Sequence, residues 1–189
     1  MSATDPAPWQ TQASRLAFQN RWVTVAVDDV VLPTGQTYEY TRVQASGVGV
    51  AVVGFNPAGE ILLEREYRHG VGQVIWQLPG GLATPGEDLQ QAVLRELREE
   101  TGYAPALVDA ETVRALGMVW NSPALGSSCC HLFAAWGLMP TQTTNFDPAE
   151  FLVQQWVSPA WLKEAVRLGE IHDYATVAAV GYLLLNGWI

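Results

Sequence analysis

A chain of 189 residues suits one domain with at most a small appendage, and 49% hydrophobic against 15% charged residues excludes a disordered polymer. A formal net charge of −9, with no basic run anywhere, excludes electrostatic capture of nucleic acid, which needs clustered Lys and Arg; a small phosphate ligand bridged by a metal meets no such objection. The only cysteines, Cys129 and Cys130, are adjacent and would face opposite sides of a strand, which argues against a disulfide scaffold.

Residues 1–19 are polar and Pro-containing and are expected to form a loosely held tail, without the basic start and apolar stretch of a signal peptide. A β-branched and aromatic run begins at Trp22, pauses at Asp28-Asp29, and resumes after the turn signal Pro33-Thr34-Gly35-Gln36 as a strand over 38–43. Residues 20–46 therefore form an N-terminal β region, too small to be stable alone. The main domain, 47–189, starts with a hairpin, strands over 48–55 and 61–67 about Asn56-Pro57-Ala58-Gly59.

Strands at 74–78, 113–120, 131–136 and 151–157 follow, with one helix between the first two. Ser158 with Pro159 opens a second helix, to about 168, and Asp173 caps a third whose body is 175–185. The apolar end 175–189 is shorter than the roughly 20 residues a membrane helix needs, so the expectation is a soluble cytoplasmic protein with no membrane partner. Strands around a central helix, with two terminal helices, predict an α/β fold with a mixed sheet covered on both faces.

The chemistry is concentrated in residues 80–103, GGLATPGEDLQQAVLRELREETGY. Leu89, Val93 and Leu97 make one apolar helical stripe, and Gly102 ends it. Glu96, Glu99 and Glu100 share one face of the last turn, where like charges cost about 0.2–0.5 kcal/mol per pair and anions oppose the helix dipole. A hard divalent cation reverses both penalties, because Mg²⁺ takes carboxylate oxygens together with substrate phosphates; a solvated acidic face is the plain alternative.

The spacing of Gly81, Glu87 and the run Arg95-Glu96-Leu97-Arg98-Glu99-Glu100-Thr101-Gly102-Tyr103 resembles the Nudix box, with every specified position filled. That resemblance implies an α/β/α sandwich, Glu96, Glu99 and Glu100 as metal-binding carboxylates, and the Gly80 carbonyl as a further ligand. It also implies Arg95 and Glu87 as supporting residues of the catalytic site, and Mg²⁺, with Mn²⁺ as a substitute, as the ion.

The stretch LLEREYRHGVGQVIWQLPGG and the later LGEIHDYATVAAVGYLL resemble the ADP-ribose pyrophosphatase branch of that family. The first implies Arg68 as a phosphate contact, since its planar fork donates to paired oxygens, against a surface ion pair. Trp76 either stacks on a base or fills core. The second stretch carries a structural role.

In NSPALGSSCCH the resemblance departs: Ala124 replaces a glycine after Ser122-Pro123, and no acid precedes His131, itself expected to be a hydrogen-bonded core residue. The catalytic base stays open between a box glutamate such as Glu99, an acid within 147–150 with Glu150 preferred, and a water activated by the metal alone.

The expected reaction is Mg²⁺-dependent hydrolysis of a nucleoside diphosphate linked to another moiety, ADP-ribose or a nucleotide sugar foremost. A non-hydrolysing nucleotide-sugar sensor, or an enzyme for dinucleoside polyphosphates, is the alternative. The resemblance further implies that the N-terminal β region serves homodimer formation.

Overall fold

The computed structural model describes residues 5–141, 144 and 151–189. The chain divides into two units, Met1–Ser46 with Ser122–Ser128, and Gly47–Asn121 with Cys129–Ile189.

The first unit is an antiparallel sheet of β1 (Gln10–Gln19), β2 (Val23–Val31) and β3 (Thr37–Ala45), in that order. The tail expected through residue 19 is a strand from Gln10 onward, paired with β2 from Gln10↔Val31 to Gln19↔Thr24. All ten β1 residues are exposed, so no buried face imposes a hydrophobic alternation; backbone pairing holds the strand. At the β2–β3 turn Gly35 takes a φ of 84°, and its N–H donates to the Leu32 carbonyl at 2.8 Å. Buried Asp28 is ion-paired with Arg42 across β2 and β3.

Ser122–Ser128 is bound to β3 within this unit. The Val43 N–H donates to the Leu125 carbonyl at 2.7 Å, the Ala45 N–H to Ser128 Oγ at 3.1 Å, and the Tyr40 hydroxyl to the Ala124 carbonyl. At Gly126 a Cβ would lie 1.8 Å from the Val43 carbonyl oxygen, so only glycine permits this approach.

The second unit is built on a seven-stranded mixed sheet. Its path runs β12 (Leu152–Val157), β5 (Ile61–Arg68), β4 (Val48–Phe55), β10 (Cys129–Trp136), β9 (Val113–Trp120). Two short strands join it, β6 (Gln73–Gln77) on β5 and β7 (Gly80–Ala83) on β4. Only the β4–β10 pair among these is parallel. A separate ladder joins β8 (Tyr103–Pro105) to β11 (Leu138–Pro140).

Strand alternation sends side chains into two cores. Val50, Val52, Leu62 and Phe133 meet Ala92, Val93 and Leu97 of α1 (Leu89–Thr101) on one face. Ala51, Val53, Leu63 and Leu132 meet Leu162 of α2 (Pro159–Leu168) and Ala179, Val180 and Leu183 of α3 (Tyr174–Leu185) on the other. The second unit is thus a sandwich, one helix below the sheet and two above.

The helix ends expected at Gly102, Ser158 and Asp173 are found, and Asp88 adds a cap at the start of α1. The Asp88 side chain accepts from the Gln90 and Gln91 N–H groups, and Gly102 closes α1 at φ 73° with its N–H on the Arg98 carbonyl. Ser158 and Asp173 cap α2 and α3. No helix among the described residues is long and apolar enough to cross a membrane.

Candidate active site

All the described candidate residues lie in the second unit, and most cluster where β7 meets α1. The backbone there is fixed first. The Val52 N–H donates to the Pro79 carbonyl at 3.0 Å, and the Leu78 N–H donates to Thr176 Oγ1 at 3.1 Å. Gly80 then runs so close to β4 that a Cβ would lie 2.1 Å from the Val50 carbonyl oxygen. Its N–H donates to Glu100 Oε2 at 2.8 Å, joining the loop to the last turn of α1.

At Gly81 a Cβ would fall 2.6–2.8 Å from the carboxyl atoms of Glu96. The two glycines therefore let a bare backbone approach two of the three box carboxylates. The chemistry requires that approach if a carbonyl and carboxylates are to serve one hard cation.

Arg95 organises the remainder. Its Nε and Nη2 donate to the two oxygens of Glu87 at 2.9 and 3.0 Å, and Nη2 also reaches the Leu82 carbonyl at 3.2 Å. Its Nη1 donates to Glu96 Oε1 at 2.9 Å and Glu99 Oε2 at 3.1 Å. One guanidinium thus ties the loop to the helix while neutralising part of the glutamate cluster.

The consequence for charge is direct. Glu87 is held down to about 2 from 4.5, first by the Arg95 hydrogen bonds and next by the Thr84 N–H. Arg95 is pushed above its ordinary value, chiefly by Glu87. Among the described residues no three His, Cys, Asp or Glu side chains converge as metal ligands. Glu96 and Glu99 point to Arg95, and Glu100 to the Gly80 N–H. The donor set itself, three carboxylates beside a glycine backbone, is the hard-oxygen set a Mg²⁺-type ion takes, and Glu96 and Glu99 each meet Nη1 through one carboxylate oxygen.

Arg68 and Trp76 are not brought together. Leu62, Glu64, Glu66 and Arg68 alternate onto the α1 face of the sheet, whereas Trp76 pairs with Arg65 and packs on the α2–α3 core. Trp76 meets Trp161 edge-on at 5.4 Å, and the Arg65 guanidinium stands 5.1 Å above its ring. Arg68 Nε donates to Gln77 Oε1 at 2.9 Å, and its Nη2 pairs with Glu66 Oε2 at 3.0 Å.

His131 is a half-buried residue of β10. Cys129 and Cys130 are free thiols, the second pushed up to about 11 by burial. Glu150 and Asp147 lie outside the described residues. Gln154, near the start of β12, donates to the Glu100 carbonyl at 2.7 Å and so ties that strand to the end of α1.

Two side-chain contributors escape sequence reasoning. Thr176 is a structural position by its motif, yet its hydroxyl supports the residue two before Gly80. Gln77 holds Arg68, a relation readable only once β5 and β6 are known to pair.

Comparisons with known proteins place the chain in a family. A family model described as "NUDIX domain" matches residues 45–178. The chain belongs to the Nudix family. A second model, "Nucleoside diphosphate sugar hydrolase N-terminal domain", matches residues 9–43 and so takes in β1.

The chain is 35% identical over 174 residues to a "Methanol dehydrogenase activator" of Bacillus methanolicus, covering 89% of each chain. It is 29% identical over 181 residues to an "ADP-ribose pyrophosphatase" of Bacillus subtilis (strain 168), covering 94% of this chain and 93% of the relative. A solved structure titled "Crystal structure of ADP compounds hydrolase" superposes with a TM-score of 0.84 over 98% of both chains at 22% identity, which establishes the shared fold. With the family match, the chain is a pyrophosphohydrolase of the Nudix type.

Proposed function

We propose that this Nudix protein hydrolyses a nucleoside diphosphate linked to another moiety, with ADP-ribose or a nucleotide sugar as substrate and Mg²⁺ as the ion. The observation that carries the reading is the approach of the Gly80–Gly81 backbone to Glu96 and Glu100 at the end of α1. Glu96, Glu99, Glu100 and the Gly80 carbonyl would hold the ion. When bound there, a divalent cation neutralises a diphosphate and acidifies water.

The chain's own groups do the rest. Arg95 and Glu87 keep loop and helix in register, so that the carboxylates stay placed as their charges are redistributed. Arg68 binds a phosphate oxygen pair and offsets its charge. Water attacks one phosphorus, the bridging P–O bond breaks, and a nucleoside monophosphate and a phosphorylated remainder leave. The water's proton passes to a carboxylate, for which Glu99 and Glu150 are the candidates.

The test is a substrate panel of ADP-ribose, nucleotide sugars and dinucleoside polyphosphates, with Mg²⁺ and phosphatase-coupled phosphate detection. Turnover of the first two groups, lost in EDTA and in both Glu99→Gln and Glu100→Gln, is expected. Near-normal turnover in both variants would overturn the assignment.

A second reading, a nucleotide-sugar sensor that does not cleave, is favoured by the lack of an acid in Ser122–Ser128 and by the activator among the relatives. Silence across the panel together with tight binding of ADP-ribose would support it.

A further inference from the structure

A half-exposed arginine is held here by two buried polar side chains. The Arg68 side chain is 47% exposed, that of Glu66 9%, and Gln77 as a residue is 5% exposed. Gln77 closes the set: its Oε1 accepts from Arg68 Nε at 2.9 Å, and its Nε2 donates to Glu66 Oε2 at 2.9 Å. Glu66 Oε2 also pairs with Arg68 Nη2 at 3.0 Å.

As a device for stability this is a poor arrangement. Burying a carboxylate and an amide costs desolvation, and an ion pair with a half-exposed arginine returns little of it. As a device for aim it is efficient. A guanidinium has one side edge, Nε with Nη2, and one end, Nη1 with Nη2. Gln77 and Glu66 take the side edge, so the Nη1 end is turned the other way with its rotamers already fixed. Fixing them beforehand removes an entropy cost from the binding step.

The placement agrees. Gln77 stands opposite Glu64 in the β5–β6 register, so Gln77, Glu66 and Arg68 all share the face of the sheet on which Leu62 meets α1. Gln77 is also neutral. A second carboxylate at this position would cancel the charge a phosphate needs.

We propose that Gln77 and Glu66 are positioning residues that fix the Arg68 guanidinium side-on and present its Nη1 end to the diphosphate of the substrate. This rests on the hydrolase reading above.

The experiment is steady-state kinetics on ADP-ribose with saturating Mg²⁺ for wild type, Gln77→Leu, Gln77→Glu, Arg68→Ala and the Gln77→Leu/Arg68→Ala double variant, alongside thermal unfolding. Gln77→Leu should raise KM about tenfold and leave kcat within about threefold, the pattern of lost uniform binding. Gln77→Glu should raise KM further. In the Arg68→Ala background Gln77→Leu should add no further rise in KM, because its effect acts through the arginine.

If Gln77→Leu does not fold, Gln77→Asn, too short to span both partners, takes its place in the cycle. An active wild type whose KM ignores the substitution, or single effects on KM that multiply in the double variant, overturns this inference alone. A wild type silent on every diphosphate overturns the hydrolase reading, and this inference with it.

Discussion

Arg95 is the residue on which the glutamate cluster depends, since its five donors reach Glu87, Glu96, Glu99 and a loop carbonyl. Glu87 shows the strength of that hold, because its carboxyl sits at about 2 in the folded chain against an ordinary 4.5. A depressed carboxyl contributes stability that is complete above its unfolded value and disappears as pH falls through the folded one. Glu87→Gln keeps an acceptor for Thr84 but removes the charge. The variant should therefore melt below wild type at neutral pH, and the gap should narrow as pH falls from 4.5 toward 2. Calorimetry at stepped pH measures that gap, and a gap independent of pH contradicts the role. A shared supporting role for Arg95 and Glu87 was legible only as what the resemblance to the Nudix box implies. The use of one Nη1 for both Glu96 and Glu99 was not, because rotamers are set by packing and not by sequence spacing.

Two adjacent glycines in β7 separate what the element needs to fold from what it needs to react. A Cβ at Gly80 would strike the backbone of β4, 2.1 Å from the Val50 carbonyl oxygen, at a φ of 156°. The three atoms nearest a Cβ at Gly81 are all carboxyl atoms at the far end of Glu96, at an ordinary backbone conformation. Gly80→Ala should thus destabilise the protein by about 2 kcal/mol or more, within the range of backbone clashes and strain. Gly81→Ala should leave the melting temperature within a few degrees, displace Glu96, and cut Mg²⁺-dependent turnover by at least about tenfold. Equal melting temperatures for the two variants would contradict this account. The elements that announce themselves are those with caps and a periodic face: Ser158 and Asp173 mark two helix starts, and Gly102 marks one end. β1 does not, because an exposed strand needs no alternation, and its existence is decided by β2.

At the scale of the whole molecule, the N-terminal sheet poses the remaining question. Three antiparallel strands alone are marginal in water, and β1 leaves Leu16 63% and Phe18 53% exposed, with Trp22 57% exposed just beyond it. β1 is also an edge strand with no neighbour on its outer side within its sheet, an arrangement proteins ordinarily blunt with charge or proline or cover with a partner. Arg15 is paired with Glu39, so its charge is partly offset. We propose that a second copy of the chain covers this sheet, as the family resemblance implies, which makes the assembly a two-fold dimer. Light scattering at micromolar concentration should then give twice the 20.6 kDa of one chain. Leu16→Asp with Phe18→Asp should shift the mass to that of one chain while circular dichroism stays unchanged. The exposed positions have no packing to lose, so a substitution that melts the monomer would act through some other contact. A wild-type monomer would leave these side chains as ordinary solvent-facing residues, and β1 would then owe its stability to the β2 ladder alone.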